Sequence, residues 1–231
     1  MKQIFFVLLT VMITHIGCGQ MSTDNDADIS TKVDSVSYSI GIDIGKNFKQ
    51  QDIEINPNVM LQGIKHAMAD TSFLTDEELK IVMTNFQTEM REKQQAKKTE
   101  SSKKNKEEAE MFFAENKNKE GVITLESGVQ YKVLKKGNGK TPKLSSTVEA
   151  HYAGRLLDGT EFDNSYKRGT PIKTQVTGVI KGWTEVLQLM QEGDKWEVYI
   201  PSEMAYGERG GGPQIGPGAA LIFEMELISV N

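Results

Sequence analysis

From Glu77 to Lys117 the chain contains neither proline nor glycine. Helices in compact domains average about three turns, so a run of roughly forty residues without a breaker limits what this chain can fold into. At about 1.5 Å per residue, such a run would reach roughly 60 Å as one helix, longer than a domain of about a hundred residues is wide. Leu79, Val82, Phe86 and Met90 give its first third an apolar face, and Met111, Phe112 and Phe113 restore that face near the end. Between Arg91 and Glu110 the face vanishes, and Lys97, Lys98, Lys103, Lys104 and Lys106 alternate with Glu92, Glu100, Glu107 and Glu108. A helix with no buried face in its middle bridges solvent, and the competing reading is a disordered charged linker, for which Ser101-Ser102 speaks. The dominance of good helix formers favours the helix. Either way, the pattern predicts two domains held apart.

On the N-terminal side the pattern is helical. Val36, Ile40, Ile44 and Phe48 recur every fourth residue after Asp34 or Ser35 as the expected N-cap. Asn56-Pro57 reads as an N-cap with proline at the first helical position, followed by Leu61, Ile64 and Met68 as an apolar stripe. Thr75-Asp76-Glu77-Glu78 matches a capping box. Gly41 and Gly45 weaken the first helix in isolation and leave room for another helix to approach closely. Upstream, Lys2 and the apolar run Ile4 to Ile13 have the shape of a secretory signal, too short to span a bilayer. His15-Ile16-Gly17-Cys18 resembles a bacterial lipobox, with Cys18 as the lipidated residue; His15 departs from the aliphatic residue usual there. The alternative is an ordinary cleaved signal. Residues 18–32 are polar and read as a flexible tether.

Beyond Glu120 the period changes. Val129–Leu134, Thr147–Leu156, Lys195–Ile200 and Ala220–Val230 read as strands separated by Gly- and Asp-rich turns. One short helix interrupts them, with Trp183, Val186, Leu187 and Met190 on one face and Gly193 as its stop. The expected fold class is therefore α+β: an antiparallel sheet wrapped around one short helix, preceded by an all-α domain with a long connecting helix.

The chemistry is bounded mostly by what is missing. The chain has one cysteine and three histidines, and His15 lies in the signal, so no cluster remains for zinc or for a nucleophile and its base. Gly137-Asn138-Gly139 and Gly210-Gly211-Gly212 lack the strand-to-helix setting of a nucleotide-binding loop. A net charge of −5 argues against nucleic acid as the main partner. What remains is a set of aromatic and apolar residues beside turns: Tyr152, Phe162, Trp183, Tyr206 and Phe223, with Val179, Ile180 and Ile215.

These residues fall in Ala150-His151-Tyr152-Ala153-Gly154, Leu157-Asp158-Gly159-Thr160-Glu161-Phe162-Asp163-Asn164-Ser165, Val179-Ile180-Lys181-Gly182-Trp183, Ala205-Tyr206-Gly207 and Leu221-Ile222-Phe223-Glu224-Met225-Glu226-Leu227. In order and near-spacing, these segments resemble the FKBP family of peptidyl-prolyl cis-trans isomerases. The helical segment before them is similar to the N-terminal domain of the macrophage infectivity potentiator and FkpA branch. The resemblance implies residues 1–17 as signal peptide, 18–32 as tether, 33–119 as a helical dimerisation domain with linker helix, and 120–231 as the isomerase domain. It implies rotation about X-Pro bonds of client polypeptides, without a cofactor or metal, in a homodimer joined through residues 33–90. Macrolide-type inhibitors would enter the same pocket. By the same resemblance, Asp163 and Tyr206 are catalytic. Tyr152, Phe162, Val179, Ile180, Trp183, Ile215 and Phe223 bind substrate, with Trp183 as the floor. The backbone N–H of Ile180 and the Tyr206 hydroxyl bond the substrate's carbonyls. The protein would be exported from a bacterial cell, as a lipoprotein anchored only through Cys18 or as a periplasmic protein, and would assist folding of exported proteins. The alternative function is a chaperone or peptide-binding adaptor with little catalytic activity, in which Met60, Met68, Met83 and Met90 offer an adaptable surface.

Two places depart from the family's pattern. Thr174 stands where an aromatic or large aliphatic residue is common, which predicts a pocket more open on that side. The loop Gly207 to Ala219 is glycine-rich, slightly long, and carries Gly216-Pro217-Gly218 where a paired proline is common. That loop shapes substrate choice in the family.

Overall fold

The computed structural model describes residues 28–231. The signal segment, Cys18 and most of the tether lie outside them. The chain divides into two units between Thr75 and Asp76.

The first unit contains helices α1 (Lys32–Gln51) and α2 (Pro57–Met68). The N-cap of α1 is Thr31, upstream of the expected Asp34 or Ser35. Its hydroxyl accepts the Asp34 N–H at 3.1 Å, and the Asp34 carboxylate accepts the Thr31 N–H at 2.8 Å. Asp34 is thus the acidic partner inside a capping box, where it also favours the positive end of the helix. Asn56 caps α2 as its sequence predicts, accepting from Asn58 and Val59 at 3.1 and 3.3 Å. Neither helix buries a residue within the single chain; Val36, Ile40, Leu61 and Ile64 are each about half exposed.

The second unit opens with α3 (Asp76–Asn116), one continuous helix of 41 residues. Its middle was expected to carry no buried face, and residues 91–100 are exposed throughout. From residue 101 on, however, Ser102, Ala109 and Asn116 are buried at seven-residue spacing, and Ser101, Asn105, Lys106, Phe112 and Phe113 are half-buried beside them. The face exists but is small and polar, so hydropathy periodicity does not register it. The charges of this stretch turn outward, with Lys103–Glu107 and Lys104–Glu108 paired one turn apart. Asn116 donates to the Gln130 side chain at 2.9 Å, Gln130 donates to the Phe113 carbonyl at 3.0 Å, and Phe112 packs 5.7 Å from Tyr199. The second half of α3 is therefore part of the sheet domain.

That sheet has seven antiparallel strands: β1 (Val122–Thr124), β2 (Gln130–Lys135), β3 (Thr147–Leu156), β4 (Glu161–Asn164), β5 (Ile172–Gln175), β6 (Lys195–Ile200) and β7 (Leu221–Val230). Their order is β1-β2-β6-β7-β3-β4, with β5 also pairing β3. The strands β3 and β6 fall on the predicted residues, and β2 and β7 shift by one. Three or four residues each, β1, β4 and β5 are too short to show a period of two. A single turn, α4 (Ser165–Arg168), follows β4, and α5 (Lys181–Leu187) packs on the sheet's inner face. The short helix stops at Leu187, before the Met190 its stripe suggested. The N–H groups of Leu189 and Met190 both turn back to the Val186 carbonyl. Gly193, at φ 89°, serves the turn into β6 and does not cap the helix.

The core forms where Trp183, Val186, Leu187 and Met190 meet Val148 and Tyr152 of β3, Val198 and Ile200 of β6, and Phe223, Met225 and Leu227 of β7. Gly182 allows this approach, because a Cβ there would lie 2.5 Å from the Ile200 side chain. Overpacking at such a contact costs about 1–3 kcal/mol. Gly182→Ala should lower the stability measured by urea denaturation by that amount.

Candidate active site

A cavity of about 580 Å³ opens between the inner face of the sheet, α5 and the loop before β7. Trp183, in the first turn of α5, is 4% exposed. Tyr152 and Phe223 stand edge-on to it, at centroid distances of 5.0 and 5.2 Å and interplanar angles of 84°. Phe162 extends the row, 5.6 Å from Phe223 at 83°. Edge-to-face rings place the positive rim of one against the negative face of the next, so the row holds itself rigid. Alternation along β3 and β7 aims Tyr152 and Phe223 at the same side of the sheet. Gly154 lies between the rows: a Cβ there would meet both Phe162 and Phe223 at 2.7 Å.

All nine pocket residues expected from the sequence line this one cavity: Tyr152, Phe162, Asp163, Val179, Ile180, Trp183, Tyr206, Ile215 and Phe223. Cys18 lies outside the described residues. Ile172 also lines it, and Thr174 does not reach it. Thr174 pairs with Val148 in the β3–β5 ladder, and its hydroxyl donates to the Gln175 carbonyl at 3.2 Å.

The polar groups have distinct settings. Asp163 accepts from the Tyr152 hydroxyl and pairs with Arg168, while Arg168 also donates to the Tyr152 oxygen at 3.0 Å. Burial, with the hydrogen bond to Asp163 next, pushes the Tyr152 phenol above its ordinary pKa. The Tyr152 backbone N–H is held by the buried Ser165 hydroxyl at 2.7 Å. Tyr206, which also lines the cavity, is 42% exposed, and Gly211 lies against its ring so closely that a Cβ would come within 2.8 Å. The Ile180 N–H, at the start of α5, meets no acceptor among the described residues. An apolar hole with one open amide donor, one rim hydroxyl and one fixed carboxylate can bind a short peptide, but its polar groups are not arranged as a nucleophile and base.

The family model described as FKBP-type peptidyl-prolyl cis-trans isomerase matches residues 138–228, and the domain amino terminal to it matches residues 33–133. The chain belongs to the FKBP-type peptidyl-prolyl cis-trans isomerases. It is 43% identical to the outer membrane protein MIP of Legionella longbeachae over 226 residues, covering 97% of each chain. It is 42% identical to the peptidyl-prolyl cis-trans isomerase Mip of Coxiella burnetii over 204 residues, covering 88% of this chain and 89% of that protein. The crystal structure of FkpA from Escherichia coli aligns with a TM-score of 0.68 at 33% identity, covering 87% of this chain and 98% of that one. The protein is an enzyme of this family, with the α-helical N-terminal region and antiparallel C-terminal sheet of the FkpA structure.

Sequence reasoning missed Arg168 in this FKBP-type site. The signal was present: Asn164 caps the single turn of α4, accepting from Tyr166 and Lys167, and so returns a residue five positions after Asp163 to its carboxylate. Removing Arg168 leaves that carboxylate held by the Tyr152 hydroxyl alone. The pair is 47% and 40% exposed, which limits its contribution to about 0.2–1 kcal/mol, so Arg168→Ala should lower kcat/KM by about twofold to fivefold in a prolyl-peptide assay. The raised Tyr152 pKa keeps its phenol protonated well above neutrality, so kcat/KM should stay flat between about pH 7 and 9.

Proposed function

We propose that this cavity catalyses X-Pro isomerisation by holding the proline ring on Trp183 while the preceding carbonyl rotates beside Asp163. The convergence of four aromatic rings and one pinned carboxylate on a single hole carries this reading. Amide rotation must break C–N double-bond character, against a barrier of about 18–20 kcal/mol. The planar amide is the more polar form and is stabilised by water, so an apolar enclosure disfavours it relative to the twisted form. Tyr152, Phe162 and Phe223 wall the ring, and Val179, Ile180 and Ile215 close its sides. The Ile180 N–H and Tyr206 hydroxyl bond the peptide's carbonyls and fit the twisted geometry best, which is the differential binding that lowers a barrier. Asp163 is held by Arg168 and Tyr152, so it meets the rotating carbonyl without reorganising.

Further features belong to the same proposal. The half-exposed stripes on α1 and α2 are what a homodimer interface within residues 33–90 would cover. The chain's domain pattern, an FKBP_N segment before the isomerase fold, accords with that. The outer-membrane name of the Legionella relative supports export to the bacterial envelope, where Cys18 would carry the lipid anchor and proline-containing polypeptides would be the clients. Macrolide-type inhibitors would enter the same pocket.

In a prolyl-peptide assay the wild type should accelerate isomerisation. Asp163→Ala should reduce kcat/KM by about tenfold or more, and Tyr206→Phe by about twofold to tenfold, the value of one neutral hydrogen bond. Full activity in both variants would remove these roles. Light scattering on residues 19–231 should give a dimer at micromolar concentration, and Cys18→Ser should release the full chain from the membrane fraction.

A further inference from the structure

The loop from Gly207 to Ala219 supplies Gly211, Pro213, Gln214 and Ile215 to one side of the cavity, and Tyr206 immediately precedes it. Its base is closed on itself, since the Gly218 N–H donates to the Gly207 carbonyl at 2.9 Å. Higher up, the Gly211 N–H donates to the Ile215 carbonyl at 2.8 Å. Within it only Ile215 is buried in the core, at 5% exposure, and the glycines on either side offer no side chains to fix where the two feet of this closed loop sit.

What fixes the feet is one turn of α3. Glu208, at one foot of the loop, accepts from the Ser102 hydroxyl at 2.5 Å and pairs with Lys106. Pro217, at the other foot, accepts at its carbonyl from the Asn105 side chain at 2.9 Å. Gly218, at φ 71°, presses so close that a Cβ would lie 2.8 Å from the Ser102 carbonyl. Both feet are thus tied to residues 102, 105 and 106. The ion pair among these contacts adds little to stability. The Lys106 and Glu208 side chains are 44% and 62% exposed, and pairs of that kind contribute little to folding. Their geometry is specific all the same: three polar side chains of the buried face, each matched to a partner on the loop.

We propose that Ser102, Asn105 and Lys106 of α3 are positioning residues for the active site, setting the place of the Gly207–Ala219 loop and through it which residue is accepted before proline. The helix lies outside the pocket and acts only through the loop. This inference rests on the isomerase reading of the cavity. It also gives the polar face of α3 a purpose: an apolar stripe would dock the helix equally well, but would not hold two loop ends by direction-specific hydrogen bonds.

The test uses the full chain with Asn105→Ala combined with Lys106→Ala, and separately the charge exchange Lys106→Glu with Glu208→Lys. Two measurements are made on each. Hydrogen exchange reads the amides of Gly211 and Gly218. Isomerisation of a peptide series differing only at the residue before proline reads kcat and KM separately. In the double alanine variant, those amides should exchange several-fold faster with the sheet's protection unchanged. The ratio of kcat/KM between bulky apolar and small or charged preceding residues should move by about threefold to tenfold, chiefly through KM, as expected for one or two lost hydrogen bonds. The charge exchange should return both readouts toward wild type relative to Lys106→Glu alone. Unchanged loop exchange, or a fall by one common factor across the whole peptide series, would overturn the proposal. A wild type without activity would refute the isomerase mechanism itself, and the exchange of Gly211 and Gly218 would still decide whether α3 holds the loop.

Discussion

Trp183 is the contact on which the rest of the domain depends. It belongs to a seven-residue helix that has too few turns to be stable in water and exists because the sheet covers it. Its ring is buried against Tyr152 and Phe223, from the two strands that pair along their whole length at the centre of the sheet. The same contact therefore closes the core and forms the floor of the cavity. Two glycines make it attainable. Gly182 lets α5 settle on Ile200, and Gly154 leaves room for the edges of Phe162 and Phe223. Core and site are built from one set of rings, which is why no separate active-site apparatus is needed.

The polar part of the site obeys a different constraint. A carboxylate beside aromatic walls must be paired or it loses its hydration without return. Asp163 is paired on both sides, by Arg168 and by the Tyr152 hydroxyl, and Arg168 also rests 5.5 Å from the Tyr152 ring. The short turn after β4 exists to bring Arg168 back. Ile180 and Tyr206 line the same cavity as Asp163, so a fixed charge and two donor-bearing residues share its wall.

The long helix shows how a structural role can hide in composition. Its second half meets the isomerase domain through Ser102, Asn105, Ala109 and Asn116, residues that a search for apolar stripes passes over. Small and polar side chains are what that surface requires. They let the helix lie close to a glycine-rich loop, where Gly216 and Gly218 abut Ser101 and Ser102, and they supply hydrogen bonds to the Pro217 carbonyl and to Glu208.

The sequence by itself determined the class of the fold, because the change from helical to alternating period at about residue 120 is a local property of the chain. It also determined the longer strands, the capping of α2, and the aromatic residues of the pocket, whose motifs are contiguous and specific. Only the tertiary structure decided three things. The strands β1, β4 and β5 are too short to signal themselves and form because neighbours offer them hydrogen-bond partners. Arg168 acquires its role when a one-turn helix folds it back onto Asp163. The polar middle of α3 gains a buried face only when the loop before β7 is present to be held. In each case the deciding partner lies elsewhere in the chain or across a turn, and periodicity along the sequence carries no record of it.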